Sequence, residues 1–169
     1  MPLSLYDVTI PIFIRGLNNL SANLKKAEDY ANENKISHSE LLDARLIDDM
    51  AALPFQIQRA SNSAKDAAVR VAGADSIVME DNETTFDDLQ KRIAKTIDYL
   101  NGVDPASFQD KETTEVVLKL KIGDKKFTGQ EYLLLFALPN FYFHTTTAYG
   151  ILRHKGVPLG KLDFLGQWP

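Results

Sequence analysis

The sequence predicts a mainly all-α domain, a four-helix bundle with a small β-hairpin between the third and fourth helices. Two observations carry this prediction. Four long segments repeat apolar residues at intervals of three and four, which is the spacing of one helical face. One short segment alternates apolar and charged residues, which is typical of a strand. The chain has 169 residues, of which 44% are hydrophobic, so we expect a single domain over residues 1–169.

The first helix is expected over residues 4–32. Pro11 lacks a backbone donor, so it either kinks this helix or marks its true start. Ser37 has capping-box spacing with Glu40 and predicts a new helical start. The apolar stripe of the first helix consists of Ile10, Phe13, Leu17, Leu20, Leu24, Ala27 and Ala31.

The second helix is expected over residues 46–73, where Gly73 ends it. Pro54 lies inside this segment and predicts a bend. The third helix is expected to start at Thr84 or Thr85 and to end at Asn101 and Gly102. The second stripe consists of Leu46, Met50, Leu53, Ile57, Ala60, Ala64, Ala67 and Val71, and the third of Phe86, Leu89, Ile93, Ile97 and Leu100.

A hairpin is expected from a strand over residues 114–122 and a short partner over residues 125–128. Thr128 and Glu131 form a second capping box, which opens a fourth helix over residues 129–154. This helix is apolar on several sides, so we expect it to be the most enclosed of the four. The tail, with Phe164, Leu165 and Trp168, is expected to pack back onto the helices or onto a second subunit.

Charge and composition exclude several classes of function. The net charge is -4, and the basic residues are dispersed, so no nucleic-acid partner is expected. The absence of cysteine excludes disulfides, thiolate nucleophiles and cysteine-based metal sites. Because we find neither a secretory signal nor an apolar membrane span, the sequence predicts a soluble cytoplasmic protein without a membrane partner. No phosphate-binding loop, zinc-protease helix or nucleophile elbow is present.

Polar residues interrupt the middle of the apolar stripe on the fourth helix. At 100° per residue, Asn140, His144 and Thr147 lie on one line with Leu133 and Ile151. Buried polar groups need partners, so these three are candidate ligand-binding residues. His144 is either a structural histidine bonded to a neighbour or a ligand-binding or acid–base group.

The predicted second helix offers candidates that can face His144. Arg45, Asp49, Gln56 and Ser63 share a line beside the apolar stripe. An aspartate beside an imidazole can orient it, share a metal with it or satisfy its second nitrogen. Alternatively, Asp49 pairs with Arg45, four residues earlier, at a half-exposed helix border. The candidate ligand-binding set is therefore Arg45, Asp49, Gln56, Asn140, His144 and Thr147, with His144 and Asp49 as candidate metal ligands and no catalytic residue assigned.

Several segments resemble a family of domains of unknown function found in bacteria and fungi. They are residues 4–17, 45–50, 144–158 and 163–166, and the third of them is quite specific. That family is similar in fold to the DinB/YfiT-like proteins, which are four-helix bundles and frequently dimeric. Some relatives are metal-dependent thiol transferases or isomerases that act on low-molecular-weight thiols. The resemblance therefore implies a DinB-like bundle, a homodimer and a divalent metal such as Zn, Ni or Mn.

The usual metal site of that superfamily has three histidines, one from the second helix and a pair spaced by four near the end of the last. Here the second helix offers Asp49, and neither His144 nor His154 has a histidine four positions away. Two hypotheses follow. In the first, the bundle core binds a small ligand, or a metal held by His144, Asp49 and a third oxygen. In the second, Arg45, Asp49 and His144 form a satisfied polar network in a non-catalytic structural or dimerisation protein.

Overall fold

A computed structural model describes residues 3–120 and 122–167 of the chain. Its helices are α1 (Ile10–Asn34), α2 (His38–Leu42), α3 (Leu53–Ala67), α4 (Phe86–Asn101), α5 (Gly129–Glu131), α6 (Leu138–His154) and α7 (Lys161–Leu165). Two strands, β1 (Glu115–Leu118) and β2 (Lys125–Thr128), pair antiparallel, with Val116 opposite Phe127. No helix within the described ranges is both long and apolar enough to cross a membrane.

Four long helices form a closed bundle. Helix α1 packs against α4 and α6, and α3 packs against the same two helices from the other side. The core between them is built from the predicted apolar stripes, and every member of the first stripe is buried. The predicted fold class, a mainly α-helical bundle with a hairpin between its third and fourth long helices, is confirmed.

Two predicted helix starts need refinement. Pro11 lies in the first turn of α1, so it marks the start of that helix instead of kinking it. Ser37 is the residue before α2, as its spacing predicted, but its side chain does not cap the helix. Its hydroxyl instead lies 2.7 Å from the hydroxyl of Ser39.

The predicted second helix begins too early. Helix α3 starts at Leu53, and residues 43–52 form an irregular connection. Pro54 therefore stands in the first turn, where a missing backbone donor costs nothing, and the predicted bend is wrong. The helix ends in a π-helical turn, Ala68–Ala72, followed by Gly73 at a φ of 71°.

The other helix and strand predictions agree well with the structure. Thr85 caps α4 in a reciprocal box with Asp88, and Thr128 does the same for α5 with Glu131. Residues 129–154 are helical throughout, with a π-helical turn, Tyr132–Ala137, between α5 and α6. Strand β1 is shorter than predicted, and the predicted strand also included Lys121, which lies outside the described residues.

The last long helix is less enclosed than the sequence suggested. One side of it leaves large apolar side chains exposed to solvent: Leu134, Leu135, Tyr142 and Phe143. Its other side, with Phe141, Ala148 and Ile151, is fully buried. The tail folds back as predicted, because α7 packs against α1; Trp168 lies outside the described residues.

Substitution of Gly129 by alanine is expected to lower the free energy of unfolding by about 1–3 kcal/mol. A Cβ at this position would collide with the backbone carbonyl oxygen of Lys111, which no side-chain rotation can relieve. The measurement is urea unfolding followed by circular dichroism. Gly102→Ala is the matched control, because its Cβ would lie 3.4 Å from the nearest atom, the Tyr99 carbonyl oxygen. Equal effects of the two substitutions would contradict the steric argument.

Candidate functional site: the His144–Gln56 pair

His144 on α6 meets Gln56 on α3 where the two helices pack together. The imidazole Nδ1 lies 2.8 Å from the Gln56 side-chain oxygen Oε1. The amide nitrogen Nε2 of Gln56 donates to the Ala51 carbonyl oxygen at 2.9 Å. Gln56 is 2% exposed and His144 is 8% exposed, so the pair is buried beside the edge of the bundle.

This geometry fixes the protonation pattern of the imidazole. An amide oxygen only accepts hydrogen bonds, so Nδ1 of His144 must carry the proton that it donates to Gln56. In the neutral ring, Nε2 then holds a free lone pair. Nε2 makes no hydrogen bond to any residue within the described ranges. The pair therefore orients an imidazole that can accept one hydrogen bond through Nε2.

The environment also keeps the imidazole neutral. Burial, together with the positive charge of Arg59, lowers the pKa of His144 from 6.5 to about 4. At neutral pH the side chain is therefore uncharged. A neutral imidazole with an oriented second nitrogen is a hydrogen-bond acceptor, a weak base or a single metal ligand.

Two aromatic rings and one guanidinium group surround the pair. The rings of Phe143 and Phe55 meet the His144 ring edge to face, with centroids 5.1 Å and 6.1 Å away. Arg59 lies over the Phe55 ring, with its central carbon 4.9 Å from the centroid. Its Nη2 pairs with Asp81 at 2.8 Å, whereas its buried Nε has no partner among the described residues.

The other two candidates on α6 form hydrogen bonds with groups other than His144. Nδ2 of Asn140 donates to the Ser63 hydroxyl at 2.7 Å, which gives a second side-chain link between α6 and α3. The Thr147 hydroxyl donates to the carbonyl oxygen of Phe143 on its own helix at 2.7 Å. Asn140 therefore supports the packing next to His144, while the Thr147 hydroxyl bonds to its own helix and not to the imidazole.

Arg45 and Asp49 lie elsewhere than the sequence suggested. Both are exposed in the irregular connection between α2 and α3, so the helical line that placed them beside Gln56 does not exist. Nη1 of Arg45 donates to the Met50 carbonyl oxygen at 3.0 Å. Both side chains are exposed, so neither belongs to the buried network around His144. Of the three polar candidates between residues 45 and 56, only Gln56 bonds to the imidazole.

The residues present do not fit the three-ligand metal site that the family resemblance implies. No group of three or more histidines, aspartates and glutamates could hold a metal ion in residues 3–120 and 122–167. Burial, reinforced by the positive charge of Arg59, lowers the pKa of His144, and the charge of Arg59 also opposes a cation at this place. We therefore derive no step through a metal.

Phe55, Arg59 and Phe143 were missed as members of the site. One sequence signal was available, because Phe55 and Arg59 are four residues apart and so share a helical face with Gln56 beside them. Phe143 had no such signal, since an aromatic residue next to a buried histidine is usually part of a core.

The bundle of four long helices, with a hairpin before the last one, has the fold of a DinB family member. The family described as Domain of unknown function (DUF1993) matches residues 5–165, and the chain belongs to it. The crystal structure of a DinB family member protein from Shewanella denitrificans is similar over 98% of this chain and 93% of that one. The two share 41% sequence identity, with a TM-score of 0.92. A comparison with curated proteins finds no match.

Proposed function

We propose that this DinB-like domain binds a small organic ligand, without a metal, at the His144–Gln56 pair. The observation that carries the proposal is the fixed orientation of the imidazole. Nδ1 of His144 donates a hydrogen bond to Gln56, and Gln56 in turn donates one to the Ala51 carbonyl oxygen. Such second-layer contacts orient a histidine so that its other nitrogen points at a partner. The ligand would present a hydrogen-bond donor to Nε2 of His144.

The surroundings define the rest of the ligand. Phe143 is 55% exposed and Phe55 is 40% exposed, so both rings offer apolar surface beside the imidazole. Exposed aromatic residues are common in binding sites because they supply large contact areas with few rotatable bonds. We therefore propose a ligand with an apolar or aromatic group next to the donor that reaches His144.

The competing hypothesis is a structural role for the same pair. It is favoured by the pairing of both amide atoms of Gln56 and by the bond from Asn140 to Ser63, which resemble a core hydrogen-bond network. It does not account for the accepting Nε2 of His144 beside two exposed rings. The two hypotheses differ in whether that nitrogen contributes to binding.

Substitution of His144 by asparagine separates the two hypotheses. An asparagine amide can donate to Gln56 from the position of Nδ1 and removes the acceptor at Nε2. We expect fragments that bind wild-type protein in a ligand-detected NMR screen to lose binding to His144→Asn by about tenfold, the effect of one hydrogen bond. His154→Asn is the matched control, because His154 is an exposed histidine at the end of the same helix.

The same samples show whether the purified protein contains a bound metal ion. Elemental analysis of protein purified without a histidine tag or chelators is expected to find no metal in amounts near one per chain. Stoichiometric zinc, nickel or manganese that disappears in His144→Asn would overturn the metal-free proposal. Fragments that bind wild type and His144→Asn equally would favour the structural role.

Two expectations from the sequence stay predictions. Sedimentation of the purified protein would test the homodimer, and microscopy of the tagged protein in cells would test the cytoplasmic location.

A further inference from the structure

Arg59 stands beside the His144–Gln56 pair, one helical turn after Phe55 on α3. Its central guanidinium carbon lies 4.9 Å from the centroid of the Phe55 ring, and that ring meets the His144 ring at 6.1 Å. Burial lowers the pKa of His144 and the positive charge of Arg59 adds to this effect, so the two groups interact. A ligand that extends from His144 across Phe55 therefore lies close to the guanidinium.

The guanidinium of Arg59 uses few of its donors. An arginine side chain carries five N–H donors and no acceptor. Nη2 donates to Asp81 at 2.8 Å, whereas Nη1 makes no hydrogen bond to any residue in the described ranges. Nε is buried, but Nη1 is accessible, and the side chain as a whole is 39% exposed. Nη1 is therefore the nitrogen that can donate to a ligand.

Two contacts hold the guanidinium in place. It lies over the Phe55 ring on one side, and its Nη2 is tied to Asp81. A free arginine samples many rotamers and loses that freedom when it binds a ligand. Arg59 has already lost part of this freedom in the folded protein, so its unused donors are preorganised for an acceptor.

The negative charge that accompanies Arg59 is shared with a second arginine. Asp81 pairs with Arg59 through one carboxylate oxygen, and its other oxygen lies 2.7 Å from Nη2 of Arg92. Glu83 lies 2.7 Å from Nη1 of Arg92. Two arginines and two acids therefore balance. A ligand anion at Arg59 would be bound through the fixed donors, and not through an excess of positive charge.

We propose that the ligand at the His144–Gln56 pair is a small aromatic carboxylic acid with a hydroxyl group, and that Arg59 binds its carboxylate. This inference rests on the proposed function at His144. The hydroxyl donates to Nε2 of His144, the ring covers Phe55, and the carboxylate accepts from Nη1 of Arg59. Because hydrogen bonds between charged groups are stronger than neutral ones, Arg59 selects the anionic ligand.

Matched acids and amides test the selection: 3- and 4-hydroxybenzoate against the corresponding hydroxybenzamides, which are neutral and almost the same shape. Each is titrated into full-length protein at neutral pH and followed by two-dimensional NMR. We expect an acid to bind about tenfold more tightly than its amide, the difference between a charge-assisted and a neutral hydrogen bond. The resonances of the Gln56 side-chain amide and of Nε of Arg59 are expected to shift. Amides that bind as tightly as the acids, or no binding of either acid, would overturn the proposal.

Arg59→Met removes the donors and keeps a long apolar side chain over Phe55. It is expected to lower the affinity for the acid to that for the amide and to leave the amide unchanged. Arg70→Met is the matched control, because Arg70 pairs with Asp66 and its side chain is 34% exposed. The spectrum of each variant shows whether it is folded, and the comparison of probes on wild type does not depend on either. An acid that binds Arg59→Met as tightly as wild type would contradict the role of Arg59.

Asp81→Asn is expected to strengthen binding of the acid. Asparagine keeps an oxygen that can accept from Arg59, and it tolerates the positive φ of 54° at this position. The substitution removes one negative charge near the ligand carboxylate, so we expect the acid to bind about fivefold more tightly and the amide to be unaffected. If Arg59 were only a structural tie, the substitution would not improve binding. Equal changes for acid and amide would contradict the charge argument.

His144→Asn distinguishes failure of this inference from failure of the proposed function. It is expected to weaken the acid and the amide alike, because both donate a hydroxyl to His144. If it does so while Arg59→Met weakens neither, the inference about Arg59 is overturned and the proposed function stands. If Arg59→Met weakens the acid while His144→Asn changes neither probe, the anion binds without His144 and both proposals are overturned.

Discussion

Substitution of Arg92 by methionine is expected to lower the free energy of unfolding by about 3–5 kcal/mol, the usual effect of breaking a buried ion pair. The Arg92 side chain on α4 is 1% exposed. Its Nη1 lies 2.7 Å from Glu83, and its Nη2 lies 2.7 Å from Asp81. Methionine fills much of the same volume but removes the cation that pairs with the largely buried Glu83, and it leaves Asp81 paired with Arg59 alone.

The effect should be concentrated in one segment. Residues 74–85 have no regular secondary structure, and Arg92 ties them to α4 through Asp81 and Glu83. Hydrogen exchange is therefore expected to rise first in this segment of Arg92→Met. Lys91→Met is the matched control, because the Lys91 side chain is 72% exposed and its pairing with Asp87 is worth little. A loss of stability that is equal in the two variants would contradict the role of the buried cluster.

The long helices were predictable because the apolar spacing that indicates each of them is repeated over several turns. The stripe from Ile10 to Ala31 has seven members, so no single residue decides the assignment. The capping boxes at Thr85 and Thr128 add local signals that need no tertiary contact. The fold class could therefore be derived from periodicity and caps alone.

The start of α3 was misread for a physical reason. Leu46 and Met50 continue the apolar spacing of the helix backwards, and Pro54 was interpreted as a bend within it. Pro11 presented the same choice in α1, and in both helices the proline occupies the first turn. A proline near the beginning of a stripe is better interpreted as a start, because only there is its missing donor harmless.

The wrong start of this helix also led to a wrong prediction of which residues face His144. With the helix extended backwards, Asp49 appeared to face His144, whereas the actual partner is Gln56. Gln56 was in the candidate set, because the helical phase after Pro54 is correct.

Asn23 was missing from the candidate set, although it is buried and a polar residue within an apolar stripe is a signal of the same kind as His144. The bonds from Arg15 and Asn19 to α7 join residues about 150 positions apart and follow no periodicity that a sequence shows.

His144 is expected to make stability depend on pH between 6.5 and about 4, by about 3 kcal/mol in total. Burial, reinforced by the charge of Arg59, lowers the pKa of this imidazole in the folded protein. As the pH falls through 6.5, the unfolded chain takes up a proton at this residue and the folded chain does not. The stabilisation is therefore complete above about 6.5 and is lost progressively as the pH falls toward about 4.

Urea unfolding of wild type and His144→Asn across this range measures the effect. Asparagine does not titrate, so the difference in unfolding free energy between the two proteins isolates His144 from the carboxylates that also titrate at low pH. His154→Asn shows how much the loss of an exposed histidine changes the same profile. A difference between wild type and His144→Asn that stays constant with pH would mean that the imidazole is solvated. A solvated imidazole would not be held against Gln56, and the oriented Nε2 on which binding at the His144–Gln56 pair depends would be lost.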